Sequence, residues 1–128
     1  MSIAGVGVDI VDAGRLARAL ARTPALAGRI FTAAERRACS VRSPAVRSTR
    51  LAARFAAKEA FYKALGKYQK GLGWKDLEVQ GGGGARKAPR AKLSRKALVA
   101  LERAGGRRVH LTLSHDGGIA IAVVILEG

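Results

Sequence analysis

Apolar positions along the chain repeat at two periods, and the alternation between them outlines the fold. Ile3 to Val8 reads as a short strand in which Gly5 and Gly7 permit a bulge or close backbone approach. Asp12 is placed to cap a helix whose Leu16 and Leu20 face inward, and Thr23-Pro24 ends it. Thr32-x-x-Glu35, just after Ile30-Phe31, is a capping-box signal that gives Glu35 a structural role in another short helix. Residues 40 to 48, with Ser40, Ser43, Pro44 and Ser48, predict a loop. Leu51, Phe55, Tyr62 and Leu65 then share one stripe of a helix that stops at Gly66. After a basic connection, Trp74 to Gln80 alternates as a half-buried strand does, with Lys75, Leu77 and Val79 on one face. Gly81 to Gly84 is a turn or loop, and Ala91 to Leu93 a brief strand. Ser94 caps a helix with Ala97, Leu98 and Leu101 inside and Gly105-Gly106 as its stop. Val109, Leu111 and Leu113 alternate with His110, Thr112 and Ser114, and Asp116-Gly117 turns the chain into the apolar run Ile119 to Leu126. With no internal repeat, the class is α+β: a small antiparallel sheet packed on a long central helix, with shorter helices around it.

Length and composition narrow the picture. A chain of 128 residues, 48% of them hydrophobic, suits one domain spanning residues 1–128 and leaves no room for a separate substrate domain. No run of about 18 apolar residues is present and the N-terminus lacks the basic-then-apolar order of a signal peptide, which predicts a cytoplasmic protein with no membrane partner. The single cysteine, Cys39, fits that compartment and cannot close a disulfide within the chain. Charge adds more, because 24 Lys+Arg against 9 Asp+Glu leave a formal +15 and call for an anionic partner. A basic nucleic-acid-binding module is one reading. Against it, aromatics make up 5% of the chain and no nucleic-acid motif accompanies the basic residues. An acidic protein or a phosphate-rich small molecule fits the charge equally well.

Two stretches carry charges that the fold alone does not require. In Arg54 to Gly66 (RFAAKEAFYKALG), Glu59 lies within about 40° of Phe55 and Lys63 within about 40° of Glu59, so a carboxylate and an ammonium meet beside the apolar stripe. Taken alone this is an ordinary i,i+4 pair on a helix. In Gly5 to Asp12 (GVGVDIVD), Asp9 interrupts a strand-like apolar run, and an acid there needs a cation, a metal or several donors. His115, between Ser114 and Asp116 at a hairpin end, fits turn chemistry as well as ligand binding. On the first helix Arg15, Arg18 and Arg22 fall within about 60° of one another, away from Leu16 and Leu20.

These stretches, followed by Leu111 to Ile125 (LTLSHDGGIAIAVVI), resemble holo-acyl-carrier-protein synthase, the small type of 4'-phosphopantetheinyl transferase, in order and over nearly the whole chain. The resemblance implies transfer of 4'-phosphopantetheine from coenzyme A to a serine hydroxyl of an acyl carrier protein of fatty-acid or polyketide synthesis. Breaking the pyrophosphate calls for a hard divalent ion, Mg²⁺, and nearby cations. By the same resemblance Asp9 and Glu59 are the metal ligands, Lys63 holds a phosphate, and Arg54 and His115 contact phosphate or move a proton. For the general base, Glu59, a water on the metal, and Asp116 with His115 all stay open. The family further implies a homotrimer with active sites between neighbouring chains. An acidic carrier would then find a complementary surface in Arg15, Arg18 and Arg22.

Overall fold

The computed structural model describes residues 2–82 and 88–128. In order the elements are β1 (Ile3–Asp12), α1 (Ala13–Arg22), α2 (Ala25–Ile30), α3 (Ala33–Cys39) and α4 (Pro44–Leu65), then 3-10 turns at Gly66–Gln69 and Trp74–Asp76. They continue with β2 (Leu77–Gln80), β3 (Arg90–Leu93), α5 (Arg95–Arg103), β4 (Arg108–Asp116) and β5 (Ile119–Glu127). The chain is thus the expected α+β assembly. A three-stranded antiparallel sheet of order β1-β5-β4 lies against α4, and β2 with β3 forms a separate two-stranded ribbon.

The β5 alternation decides which side of the sheet meets the helix. Ala120, Ala122, Val124 and Leu126 are buried against α4, and cross-strand pairing puts Gly5, Gly7, Asp9 and Val11 of β1 on that same face. The two glycines are there for clearance. A Cβ added at Gly7 would stand 1.8 Å from the Ala60 carbonyl oxygen, and one at Gly5 would stand 2.2 Å from that of Ala64. The strand therefore rests on the helix backbone itself, at two successive turns. The opposite face of the sheet is apolar yet open, with Val6, Val8 and Ile10 each more than half exposed.

Several boundaries differ from the sequence expectation, each for a local reason. Helix α4 begins at Pro44 rather than after a loop reaching residue 48, because Ser43 caps it by accepting from the Val46 N–H at 3.3 Å and proline suits the first helical position. Strand β1 continues past Val8 to Asp12, since its pairing with β5 runs on to Asp12 opposite Ile119. Residues 74–76 form a 3-10 turn instead of strand because the Asp76 carboxylate accepts from the Gly73 N–H at 2.7 Å and from the Ser94 hydroxyl at 2.7 Å. Leu98 is exposed, as α5 buries the line of Ala97, Ala100 and Leu101 and Leu98 stands about 100° from Ala97. The last hairpin turns on Gly117-Gly118, both at positive φ (56° and 81°), while Asp116 pairs with Ile119 as the last residue of β4. Part of the expected Gly81–Gly84 loop, residues 83 and 84, lies outside the described residues.

Candidate active site

Asp9 reaches the middle of α4 because of the glycines before it. Gly5 sits on Ala64 and Gly7 on Ala60, so Asp9, two residues further along the same face, arrives beside the helical turn of Glu59. There Lys63 meets it: the ammonium stands 2.8 Å from Asp9 Oδ1 and also donates to the Val8 carbonyl at 3.2 Å. The partner of Lys63 is therefore Asp9 across the sheet–helix seam, rather than its helical neighbour Glu59. The hydrogen bond to Asp9 and that residue's charge raise the Lys63 pKa above its ordinary value. Glu59 is half-buried, and burial first, then repulsion from Asp9, push its carboxyl above the ordinary range while Lys63 pulls it back.

Two acids from different elements are thus brought close enough to repel, with a single ammonium between their charges. That donor set suits a hard divalent ion. Among the described residues no group of three or more His, Cys, Asp or Glu gathers; Mg²⁺ in proteins is commonly held by one or two carboxylates, with water and substrate oxygens at its other positions.

Other expected site residues lie elsewhere on the chain. Arg54 points about 140° around α4 from Glu59 and is buried, donating from Nη2 to the Gly81 carbonyl at 2.9 Å; its Nε has no partner among the described residues. His115 shares the helix-facing side of the sheet with Asp9 but stands two strands and two residues away, roughly 12 Å by strand geometry. Asp116 takes the opposite face, and both are exposed. One chain therefore gathers Asp9, Glu59 and Lys63 but not Arg54, His115 or Asp116. Arg15, Arg18 and Arg22 are exposed on α1, with Leu16 buried beneath them and the Arg15 N–H capped by Asp12 at 3.0 Å.

A second charged pair on α4 was not anticipated. Lys58 is fully buried 2.8 Å from Glu35, and donates to the carbonyls of Trp74 at 3.0 Å and Leu77 at 2.5 Å. Glu35 in turn accepts from the N–H groups of Thr32 at 2.9 Å and Val79 at 2.8 Å. Burial lowers the Lys58 pKa, with Glu35 pulling it back up. A signal did exist: Lys58 falls about 60° from Phe55 on the helical wheel, between Leu51 and Leu65 and so inside the apolar stripe, where a lysine must find a counter-ion.

A sequence model described as the 4'-phosphopantetheinyl transferase superfamily matches residues 5–124. The chain belongs to that superfamily. Within it, the chain falls among the holo-acyl-carrier-protein synthases. It is 52% identical to the holo-[acyl-carrier-protein] synthase of Anaeromyxobacter dehalogenans, over 98% of this chain and 97% of that protein. It is 48% identical to the one from Streptomyces coelicolor over the full length of both. Among solved structures, Helicobacter pylori holo-[acyl-carrier-protein] synthase in complex with coenzyme A superposes with a TM-score of 0.76 at 28% identity, covering 95% of this chain and 99% of that one.

Proposed function

We propose that the chain, acting as one transferase domain over residues 1–128, moves the 4'-phosphopantetheine group of coenzyme A onto a serine hydroxyl of an apo-acyl carrier protein and releases adenosine 3',5'-bisphosphate. The observation that carries this reading is the convergence of Asp9 and Glu59 with Lys63. Asp9 and Glu59 would hold Mg²⁺, which would supply charge neutralisation at the pyrophosphate. Lys63, exposed and already at that spot, is placed to take a phosphate oxygen. For the general base we keep Glu59, a metal-bound water, and Asp116 with His115.

The open side of the sheet supports an assembly of chains. Val6, Val8 and Ile10 are 58%, 52% and 63% exposed, a contiguous apolar surface of the kind that subunit contacts cover. In a homotrimer that buries this face, the exposed His115 and Asp116 of one chain would complete the site at Asp9 and Glu59 of the next, whereas Arg54 is buried within its own chain. The arginine face of α1 is left for an acidic carrier protein. No helix among the described residues is long and apolar enough to cross a membrane, and we place the reaction in the cytoplasm.

The deciding experiment incubates the protein with coenzyme A, Mg²⁺ and an apo-carrier protein and reads the carrier's mass. A gain of one phosphopantetheine is expected, lost in Asp9→Asn and Glu59→Gln, which change charge at nearly constant shape while the circular dichroism stays native. Unmodified carrier with the wild-type protein, or full activity in either variant at low Mg²⁺, would overturn the reading.

A further inference from the structure

Four contacts fasten the Gly73–Trp74 segment to α4. The Tyr62 hydroxyl donates to the Gly73 carbonyl, and the Lys58 ammonium donates to the Trp74 carbonyl at 3.0 Å. The indole packs edge-on against Phe55 at 5.1 Å and tilted against Tyr62 at 5.6 Å between ring centroids. From the other side, Asp76 holds the Gly73 N–H. Lys58 is itself buried and paired with Glu35, so this anchor is tied at both ends. Yet the tryptophan so firmly held is 36% exposed, and it is the chain's one tryptophan. Filling a core does not require an indole left partly open to water.

What the open part of the indole borders follows from helical angles. Phe55 and Tyr62 lie within about 20° of each other on α4, Glu59 about 40° to one side of Phe55, Lys63 about 40° beyond it, and the β1 contact at Ala60 about 60° further still. By angle, Glu59 therefore lies between two flanks of α4. One flank meets β1, where Lys63 holds Asp9, and the other meets Trp74 through Phe55.

The geometry points to Trp74 as a binding residue for coenzyme A: its indole is the apolar wall against which the nonpolar part of the donor next to the pyrophosphate rests, while Asp9, Glu59 and Lys63 face the charged part. Lys58 and Tyr62 are the positioning residues that hold this wall in place. The inference rests on the transferase reading above and adds a residue to its site. Coenzyme A offers a flat or branched apolar surface on each side of its pyrophosphate, adenine on one and the dimethyl carbon of the pantetheine arm on the other. Either matches an indole flanked by carboxylates.

Because Trp74 is the sole tryptophan, its fluorescence reports on this wall in the unmodified protein. Titration with coenzyme A in the presence of Mg²⁺ should shift or quench the emission saturably, and parallel titrations with adenosine 3',5'-bisphosphate and with 4'-phosphopantetheine tell which side of the donor touches it. Trp74→Ala should raise KM for coenzyme A about tenfold, and Trp74→Phe should restore most of the loss. KM for the carrier protein should stay within about twofold, whereas a merely structural loss would lower kcat through the folded fraction and leave KM alone. Wild-type protein that transfers normally while its emission ignores saturating coenzyme A overturns the inference, as does Trp74→Ala with an unchanged KM. Wild-type protein that neither transfers nor binds coenzyme A overturns the transferase reading and this inference with it.

Discussion

Helix α4 carries two lysine–carboxylate pairs of the same length, 2.8 Å, five residues apart, and they do opposite work. Lys58 and Glu35 are wholly shielded, 0% exposed on both sides, and their other hydrogen bonds go to backbone groups of the α3 cap, of β2 and of Trp74. Lys63 and Asp9 stand at 56% and 11% exposure, with Glu59 beside them forming no ion pair among the described residues. The environments set the directions of titration. Burial pulls Lys58 below the ordinary lysine value, whereas the hydrogen bond to Asp9 lifts Lys63 above it. A pair satisfied on all sides fixes three elements in place. A pair left partly open, next to an extra carboxylate, can exchange its partners for an ion or a phosphate.

Breaking the closed pair should have the largest effect. Lys58→Met leaves Glu35 charged and buried, and is expected to cost about 3 to 5 kcal/mol, read by urea unfolding. Replacing both residues, Glu35→Met with Lys58→Met, should recover much of that loss because no uncompensated charge remains. A Lys58→Met protein within about 1 kcal/mol of wild type would mean the pair contributes little beyond its own desolvation.

The second effect reaches the open pair without touching its charges. In Gly7→Ala the new methyl meets the Ala60 carbonyl oxygen at 1.8 Å, so β1 must lift from α4 and carry Asp9 with it. A shift on the order of 1 Å at a catalytic group lowers rate by roughly a hundredfold, and the phosphopantetheine transfer rate should fall by that much. Asp9 moved with the rate unchanged would show that its position is not what the glycines secure.

These two variants also show what the sequence disclosed. The motifs holding Asp9 and Glu59, the capping box at Thr32 and Glu35, and the alternation of β4 and β5 were legible because each depends on neighbours within a few residues. The sequence marked Gly5 and Gly7 as places of close approach, but the atoms approached, the carbonyls of Ala60 and Ala64, are far away in the chain. Lys58 was hidden for the same reason: its counter-ion comes from 23 positions upstream and its other partners from 16 and 19 downstream. Trp74 read as strand because Asp76, which curls it into a turn, acts through backbone groups that no periodicity records. His115 and Asp116 were singled out correctly as polar residues at a hairpin end, but a linear motif does not show that they face opposite sides of the sheet.

A third effect is smaller and depends on pH. Glu59 holds its proton more tightly in the folded chain than its ordinary value of 4.5 allows, so the folded state binds more protons than the unfolded state across the window just above that value. Stability from this group therefore declines as pH rises from about 4.5 through the lifted pKa and is constant beyond it. Metal affinity runs the other way, since a proton on Glu59 competes with the ion. Below the lifted pKa, Mg²⁺ binding followed by calorimetry should weaken by about tenfold per pH unit, and Glu59→Gln should flatten that dependence. An equally steep dependence in the glutamine variant would assign the proton to another group.

The smallest effect expected on the fold is at Lys63, and it gives the comparison its sharpest form. Its ammonium is open to solvent, so its attraction for Asp9 is screened by water and salt, and a long side chain loses rotamer freedom in making the contact. Lys63→Met keeps the stem and removes the charge. The melting temperature of this variant should match wild type, in contrast with Lys58→Met one turn and a half away. The raised pKa of Lys63 makes a linked prediction: whatever stability the pair gives is present below the ordinary lysine value of 10.5 and is lost as pH rises through the lifted folded value, so any difference between wild type and variant should vanish in strong alkali. If Lys63 takes a phosphate oxygen as proposed, transfer should behave differently: removing its charge should lower kcat by an expected one to two orders of magnitude, roughly the worth of one such charge. A variant with normal kcat and a lowered melting temperature would reverse the assignment, making Lys63–Asp9 a structural pair like Lys58–Glu35.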